Sequence, residues 1–187
     1  MQRIYQQVIE QHLSEFEQML FLSGPRQAGK TTVAQHIFAK YRGIYLNWDL
    51  VEDRDKIVSP PKKLLQSLNL HIASLQKPLI VFDEIHKYPQ WKNYLKGLYD
   101  YTYWNEQIAI IVTGSARLDI YKKGSDSLMG RYFPYRIHPL SLREVIQQPP
   151  TINLTLPIQN PMKPPKDLYM ALWQFGGFPE PLLRQNL

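Results

Sequence analysis

Apolar residues along the chain alternate between two rhythms. Over Met1–Gln18, Ile4, Val8, Ile9, Leu13 and Phe16 recur at helical spacing with Gln and Glu between them, which predicts a helix. Met19–Ser23 is a short apolar run stopped by Gly24-Pro25, and it predicts a buried strand. Helical spacing resumes over Lys30–Tyr41 through Val33, Ala34, Ile37 and Phe38, with Gly43 as the C-terminal signal. Ile44–Trp48 is a second expected strand. Pro60–Gln76 holds a helix with Leu64, Leu65 and Leu68 on one side, and Leu79–Phe82 is a third strand, apolar throughout. Trp91–Tyr103 predicts a helix, Ile108–Thr113 a fourth strand, and Tyr132–His138 a weaker fifth.

Strands thus alternate with helices, and the strands are short and continuously apolar. Both features predict an α/β fold, a parallel sheet covered by helices on both faces. The alternation breaks at Pro149, because 149–165 holds six prolines, which neither a helix interior nor a central strand tolerates. That stretch reads as a linker or an extended wrapping loop. Asp167 is then expected to cap a last helix, Leu168–Phe175, before Gly176-Gly177. The expected division is a core over 1–148, a Pro-rich linker over 149–166, and over 167–187 the start of a helical lid or C-terminal region.

Composition narrows the class. A chain of 187 residues with 44% apolar and 12% aromatic residues can build a core. With no cysteine, disulfides, thiolate metal sites and a Cys nucleophile are excluded. No apolar run approaches a membrane span, and Glu10, Glu15 and Glu17 are at odds with a signal peptide, so a soluble cytoplasmic protein is expected. The net charge is +6, and the excess lies in 61–187, with 15 basic against 9 acidic residues. That half fits either a polyanion such as nucleic acid or an ordinary solvated surface.

The chemistry is concentrated in a few motifs. Gly24-Pro25-Arg26-Gln27-Ala28-Gly29-Lys30-Thr31 has the phosphate-loop spacing of Gly, four residues, Gly, Lys and Ser/Thr, between a strand and a helix. Such a loop turns successive N–H groups and a helix N-terminus onto phosphate oxygens. Lys30 is expected to reach the β- and γ-phosphates and the Thr31 hydroxyl to ligate Mg²⁺, with Thr32 following. Leu79–Phe82 delivers Asp83 and Glu84 to the C-terminal end of a strand, where ligands of open α/β sheets bind. There Asp83 suits a Mg²⁺ site and Glu84 suits a general base for water. Thr113 and Ser115 stand at the tip of the fourth strand, placed to sense a γ-phosphate or to make a capped turn. Arg131 is a candidate arginine finger, in cis or from a neighbouring subunit, against the plainer reading of a carboxylate-paired arginine. Arg26 and Arg117 are weaker candidates, and Arg143-Glu144 reads as a structural pair. His86 reads as a loop residue supporting Glu84. Tyr99, Tyr101, Tyr103 and Trp104 read as a helix-to-strand junction in preference to a base-stacking platform.

Taken in order, the loop from Phe21 to Thr32, Asp83-Glu84-Ile85-His86, Thr113-Gly114-Ser115-Ala116-Arg117, Gly130-Arg131, Pro139–Glu144 and Phe175-Gly176-Gly177-Phe178-Pro179-Glu180 resemble a group of prokaryotic AAA-type ATPases whose phosphate loop reads Gly-Pro-Arg-Gln. The resemblance implies a P-loop NTPase three-layer sandwich with about five parallel strands, and ATP and Mg²⁺ as cofactors. It puts Thr31 and Asp83 at the metal and Glu84 at the water. Members often carry Gln at the place of His86 and continue past the Gly-Gly-Phe-Pro segment into a C-terminal domain, so a truncated form is expected here. The reading is therefore a Mg-dependent ATPase. The alternative is an ATP-dependent switch or DNA-associated module with little turnover, with a homo-oligomer and a nucleic-acid or protein partner as further expectations. A phosphoryl-transfer kinase on the same fold fits less well, because it has no use for a water-activating carboxylate. The absence of a guanine-specifying Asn-Lys-x-Asp segment argues against GTP and leaves adenine as the default.

Overall fold

The computed structural model describes residues 3–66, 68, 77–105, 108–115, 128–146 and 164–185. Helix α1 (Ile4–Glu15) leads into strand β1 (Met19–Ser23), and the phosphate-loop segment opens α2 (Lys30–Phe38). Then come β2 (Gly43–Asn47), α3 (Val51–Val58), α4 (Pro61–Gln66) and β3 (Leu79–Asp83). A 3-10 turn at Ile85–Lys87 precedes α5 (Trp91–Asn105), β4 (Ala109–Thr113), β5 (Tyr132–Arg136), α6 (Leu142–Val145), α7 (Lys166–Phe175) and α8 (Pro179–Arg184). Among the described residues no helix is long and apolar enough to cross a membrane.

The five strands form one parallel sheet in the order β2-β3-β4-β1-β5. The continuous apolar runs follow from burial on both faces. Met19, Phe21, Ile80, Phe82, Ile110 and Val112 point to one side, where they meet Ile57 of α3, Leu64 and Leu65 of α4, and Trp91, Leu95 and Leu98 of α5. Their sequence neighbours Leu20, Leu22, Leu79, Val81 and Ile111 point to the other, against Ile9 and Leu13 of α1 and Val33, Ala34 and Ile37 of α2. A smaller third cluster joins Leu140, Val145 and Leu182, with Leu168, Ala171, Leu172 and Phe175 of α7 packed on it.

Several expectations are adjusted by the structure. Gly43 does not end α2; Ala39 is its C-cap, and Gly43 opens β2 opposite Leu79, where a Cβ would overlap the Leu79 carbonyl. Helix α3 was not expected, because its Val51 and Val58 are exposed and only Asp53 and Ile57 are buried, which leaves almost no apolar stripe. Asp167 is not a cap. Pro165 takes that place and Asp167 lies in the first turn of α7, where its charge complements the helix dipole. Past Gly177, Pro179 starts the further helix α8 from a favoured first-turn position. Of the helix expected over Pro60–Gln76, the part beyond 66 lies outside the described residues apart from Leu68, as does most of the Pro-rich stretch.

Phe82 is fully buried and in edge-to-face contact with Tyr94. Phe82→Ala is expected to lower unfolding stability by about 3–5 kcal/mol, measured by chemical denaturation. A loss under about 1 kcal/mol would contradict its place in the core.

Candidate active site

All functional geometry gathers at the C-terminal edge of the sheet. After β1 the chain curls through Gly24–Gly29, with Gln27 at φ 62° and Gly29 at φ 89°, and then enters α2 at Lys30. The Lys30 amine folds back on this loop and donates to the carbonyls of Gly24 (3.1 Å) and Pro25 (2.6 Å). Burial lowers the Lys30 pKa, opposed by the charges of Glu84 and Asp83. Ala28 is buried, while Arg26 and Gln27 are exposed.

Asp83 ends β3 and is only 2% exposed. Its Oδ1 accepts from the hydroxyls of Thr31 (3.4 Å) and Thr113, and its Oδ2 from the Tyr45 hydroxyl (2.8 Å). Burial, then Asp83 itself, push the Tyr45 hydroxyl pKa well up, so the phenol stays a donor. Glu84 follows in the left-handed region (φ 58°, ψ 21°), and its N–H donates to the Thr113 carbonyl (3.1 Å). This unusual backbone turns the two adjacent carboxylates apart. The Glu84 carboxylate lies 3.4 Å from the Lys87 amine and 3.7 Å from His86 Nε2. The same His86 nitrogen is 3.2 Å from Ser115 Oγ, so Ser115, His86 and Glu84 form a chain.

A cavity of about 490 Å³ opens at this edge. One wall is Gln27, Gly29, Lys30, Thr31, Thr32 and Glu84. His36 of α2 lines the cavity too, together with Arg3, Leu140 and three residues of α8, namely Pro179, Glu180 and Leu183. A glycine-bearing loop, a lysine, a hydroxyl backed by a carboxylate, and a second carboxylate at one cavity are the means to bind a polyphosphate and to place a base beside it.

Residues 16–146 match the model of a family described as an AAA domain. The chain belongs to this family. No curated sequence matches it. Its fold is similar to the Walker-type ATPase of Pyrococcus abyssi, with TM-score 0.56, 19% identity, and coverage of 95% of this chain and 64% of that one. It is also similar to AMPPCP-bound DnaA from Aquifex aeolicus, with TM-score 0.56, 16% identity, and coverage of 98% and 59%. PCH-2 of C. elegans gives TM-score 0.50 at 15% identity, with coverage of 93% and 54%. The chain therefore spans less than two thirds of each of these proteins, and at such identities the likeness is one of fold. The parallel sheet flanked by helices is the P-loop NTPase sandwich.

Two arginines of this AAA domain differ from expectation. Arg131 precedes β5 at the opposite edge of the sheet, where its carbonyl accepts from the Met19 N–H and its guanidinium pairs with Asp100 (2.6 and 3.2 Å). The length of β5, roughly 16 Å, separates it from the phosphate loop of its own chain, so the cis arginine-finger expectation is corrected. Arg117 lies outside the described residues. The expected Arg143-Glu144 pair is also corrected. Glu144 bonds to Arg3 (2.7 Å), 141 positions away in sequence, because adjacent helical residues do not face each other. Arg3 was not among the sequence candidates. A lone Arg before an amphipathic helix carries no motif, and only its burial at 6% exposure marks it. Of the expected helix-to-strand aromatics, Tyr99 is buried in the core and stacks on Tyr103 (5.7 Å), whereas Tyr101 and Tyr103 are themselves exposed.

Burial alone would raise the Glu144 pKa. The Ser141 N–H, the Arg3 guanidinium and the Ile4 N–H outweigh it and hold the group below its ordinary value. The stabilisation from ionised Glu144 is thus present above the unfolded carboxylate pKa, about 4.3, and is lost as pH falls through the lower folded value. The stability advantage of wild type over Glu144→Gln is expected to shrink from pH 6 towards pH 2 in denaturation series. An advantage that grows with acidification would reverse the assigned shift.

Proposed function

We propose that this AAA domain, in the cytoplasm, binds ATP with Mg²⁺ and hydrolyses the γ-phosphate, and that it belongs to the group with a Gly-Pro-Arg-Gln phosphate loop. The observation that carries the reading is the convergence of Lys30, Thr31 and Glu84 on one cavity, with Asp83 bonded to Thr31 behind it. The Gly24–Thr32 stretch would cradle the phosphates, with Lys30 leaving the Gly24 and Pro25 carbonyls to reach the β- and γ-oxygens. Thr31 Oγ1 and Asp83 Oδ1 supply the hard oxygen donors that Mg²⁺ takes, and they would hold it. The cation would neutralise charge developing on the phosphates. Glu84 would take the proton of the attacking water, with Ser115 orienting His86 beside it.

The switch reading has one observation in its favour. Glu84 is already engaged by Lys87 and His86, so turnover requires that hold to loosen. A protein or nucleic-acid partner would supply that step. Arg131 would act at a γ-phosphate only from a neighbouring subunit, given its place on the opposite edge.

Phosphate release from ATP and ATP binding, followed side by side, separate these readings. Lys30→Ala is expected to abolish binding, and retained affinity would remove the phosphate-loop role. Glu84→Gln is expected to keep binding and lose turnover by about 10²–10⁴-fold. Unchanged turnover would remove Glu84 as the base, and binding without turnover in the wild type would favour the switch. A rate per chain that rises with protein concentration, and that Arg131→Ala abolishes, would support catalysis shared between subunits; a flat rate would oppose it.

A further inference from the structure

Two parts of the cavity wall, the phosphate loop and α8, are fastened to one stretch of chain, residues 138–145. Arg3 makes the first attachment. Its buried guanidinium spends three donors on three segments: Nη1 to the Ala28 carbonyl in the loop (2.7 Å), Nη2 to the His138 carbonyl (2.6 Å) and Nε to Glu144 Oε1 (2.7 Å). Glu144 is held in turn by the Ser141 N–H (3.0 Å) and hydroxyl (3.1 Å) and by the Ile4 N–H (3.2 Å), and it closes the capping box of α6. A planar fork with fixed donor directions cannot follow one acceptor without moving against the other two.

Gly177 makes the second attachment. Its carbonyl accepts from the Leu140 N–H (2.6 Å), and a Cβ on Gly177 would overlap the Leu140 carbonyl, so backbone lies directly on backbone. Two residues further on, α8 begins and turns Pro179, Glu180 and Leu183 to the cavity, where Leu140 also stands.

The loop needs support from outside. Within it, the Ala28 N–H reaches the Pro25 carbonyl only at 3.4 Å, and the Lys30 amine occupies the Gly24 and Pro25 carbonyls that it must leave to meet phosphate. When those bonds break, the Arg3–Ala28 bond still ties the loop to the 138–145 strap.

We propose that Arg3 is a positioning residue that couples the phosphate loop to the C-terminal helices through this strap. Nucleotide in the loop tightens the docking of 176–184, and by reciprocity that docking raises nucleotide affinity. The inference rests on the nucleotide-binding reading above.

The test follows ATP affinity together with amide hydrogen exchange over 176–184, with and without ATP, on the full chain. Arg3→Ala strands the Glu144 carboxylate in the interior and threatens folding. The informative variant is therefore Arg3→Met combined with Glu144→Gln, which removes both charges and keeps a capping-box residue at 144. Its folding is checked by its melting transition. In wild type, ATP is expected to slow exchange over 176–184 about fivefold or more. In the double variant the affinity falls about tenfold, the loss expected from one charge-assisted hydrogen bond, and the ATP-dependent slowing disappears. A folded double variant that binds ATP like wild type, or that still slows exchange over 176–184, overturns the coupling. Wild type that binds ATP without any change over 176–184 overturns it as well. Wild type that fails to bind ATP overturns the nucleotide reading itself, and the coupling with it.

Discussion

The site is organised around one constraint: Asp83 is a carboxylate buried at the end of β3, an interior strand of the sheet, and its oxygens must be satisfied from within the protein. An unpaired buried charge is unaffordable in an apolar interior. Three hydroxyls from three elements answer it, Tyr45 from β2, Thr113 from β4 and Thr31 from α2. These bonds close the sheet around the tip of β3 and pin the start of α2, and hence the phosphate loop, to it. They are unequal. The Tyr45 bond at 2.8 Å has ordinary length, whereas the Thr31 bond at 3.4 Å is long for a hydroxyl donor. Thr31 is thus the least tightly held of the three hydroxyls, while Tyr45 and Thr113 keep Asp83 in place.

What could be read in the sequence follows the same physics. Strands buried on both faces are apolar at every position, so β1, β3 and β4 stood out to within a residue, and their C-terminal ends located Asp83, Glu84 and Thr113. The phosphate loop was legible because its function constrains backbone and side chains at fixed spacing. Helix α3 was not, because a surface helix with one buried apolar residue leaves almost no periodic signal. Gly43 misled because a glycine ending a helix and one admitting a close strand look alike in sequence. Arg131 misled because its segment precedes a strand that runs parallel to β1, which puts it at the edge away from the loop. Arg3 and Glu144 meet only through the tertiary fold, and no local pattern brings them together.

Asp83 and Glu84 are adjacent and both charges act on Lys30, yet their bonding partners differ. The left-handed backbone at Glu84, a conformation costing about 1–3 kcal/mol for such a residue, breaks the strand and sends the second side chain toward the cavity. The Glu84 N–H bond to the Thr113 carbonyl compensates part of that cost and ties the turn to β4, the strand whose tip leads to Ser115. Glu84 is then reached from two sides, by Lys87, itself bridged to Asp49, and by His86, bonded to Ser115. The position of the Glu84 carboxylate therefore depends on the small turn over Ile85–Lys87. Anything that draws Ser115 or Lys87 away would release the Glu84 carboxylate without touching the Lys30 bonds within the phosphate loop. The Lys30 loop and the turn behind Glu84 are thus held by separate sets of contacts, so one can shift while the other keeps its bonds.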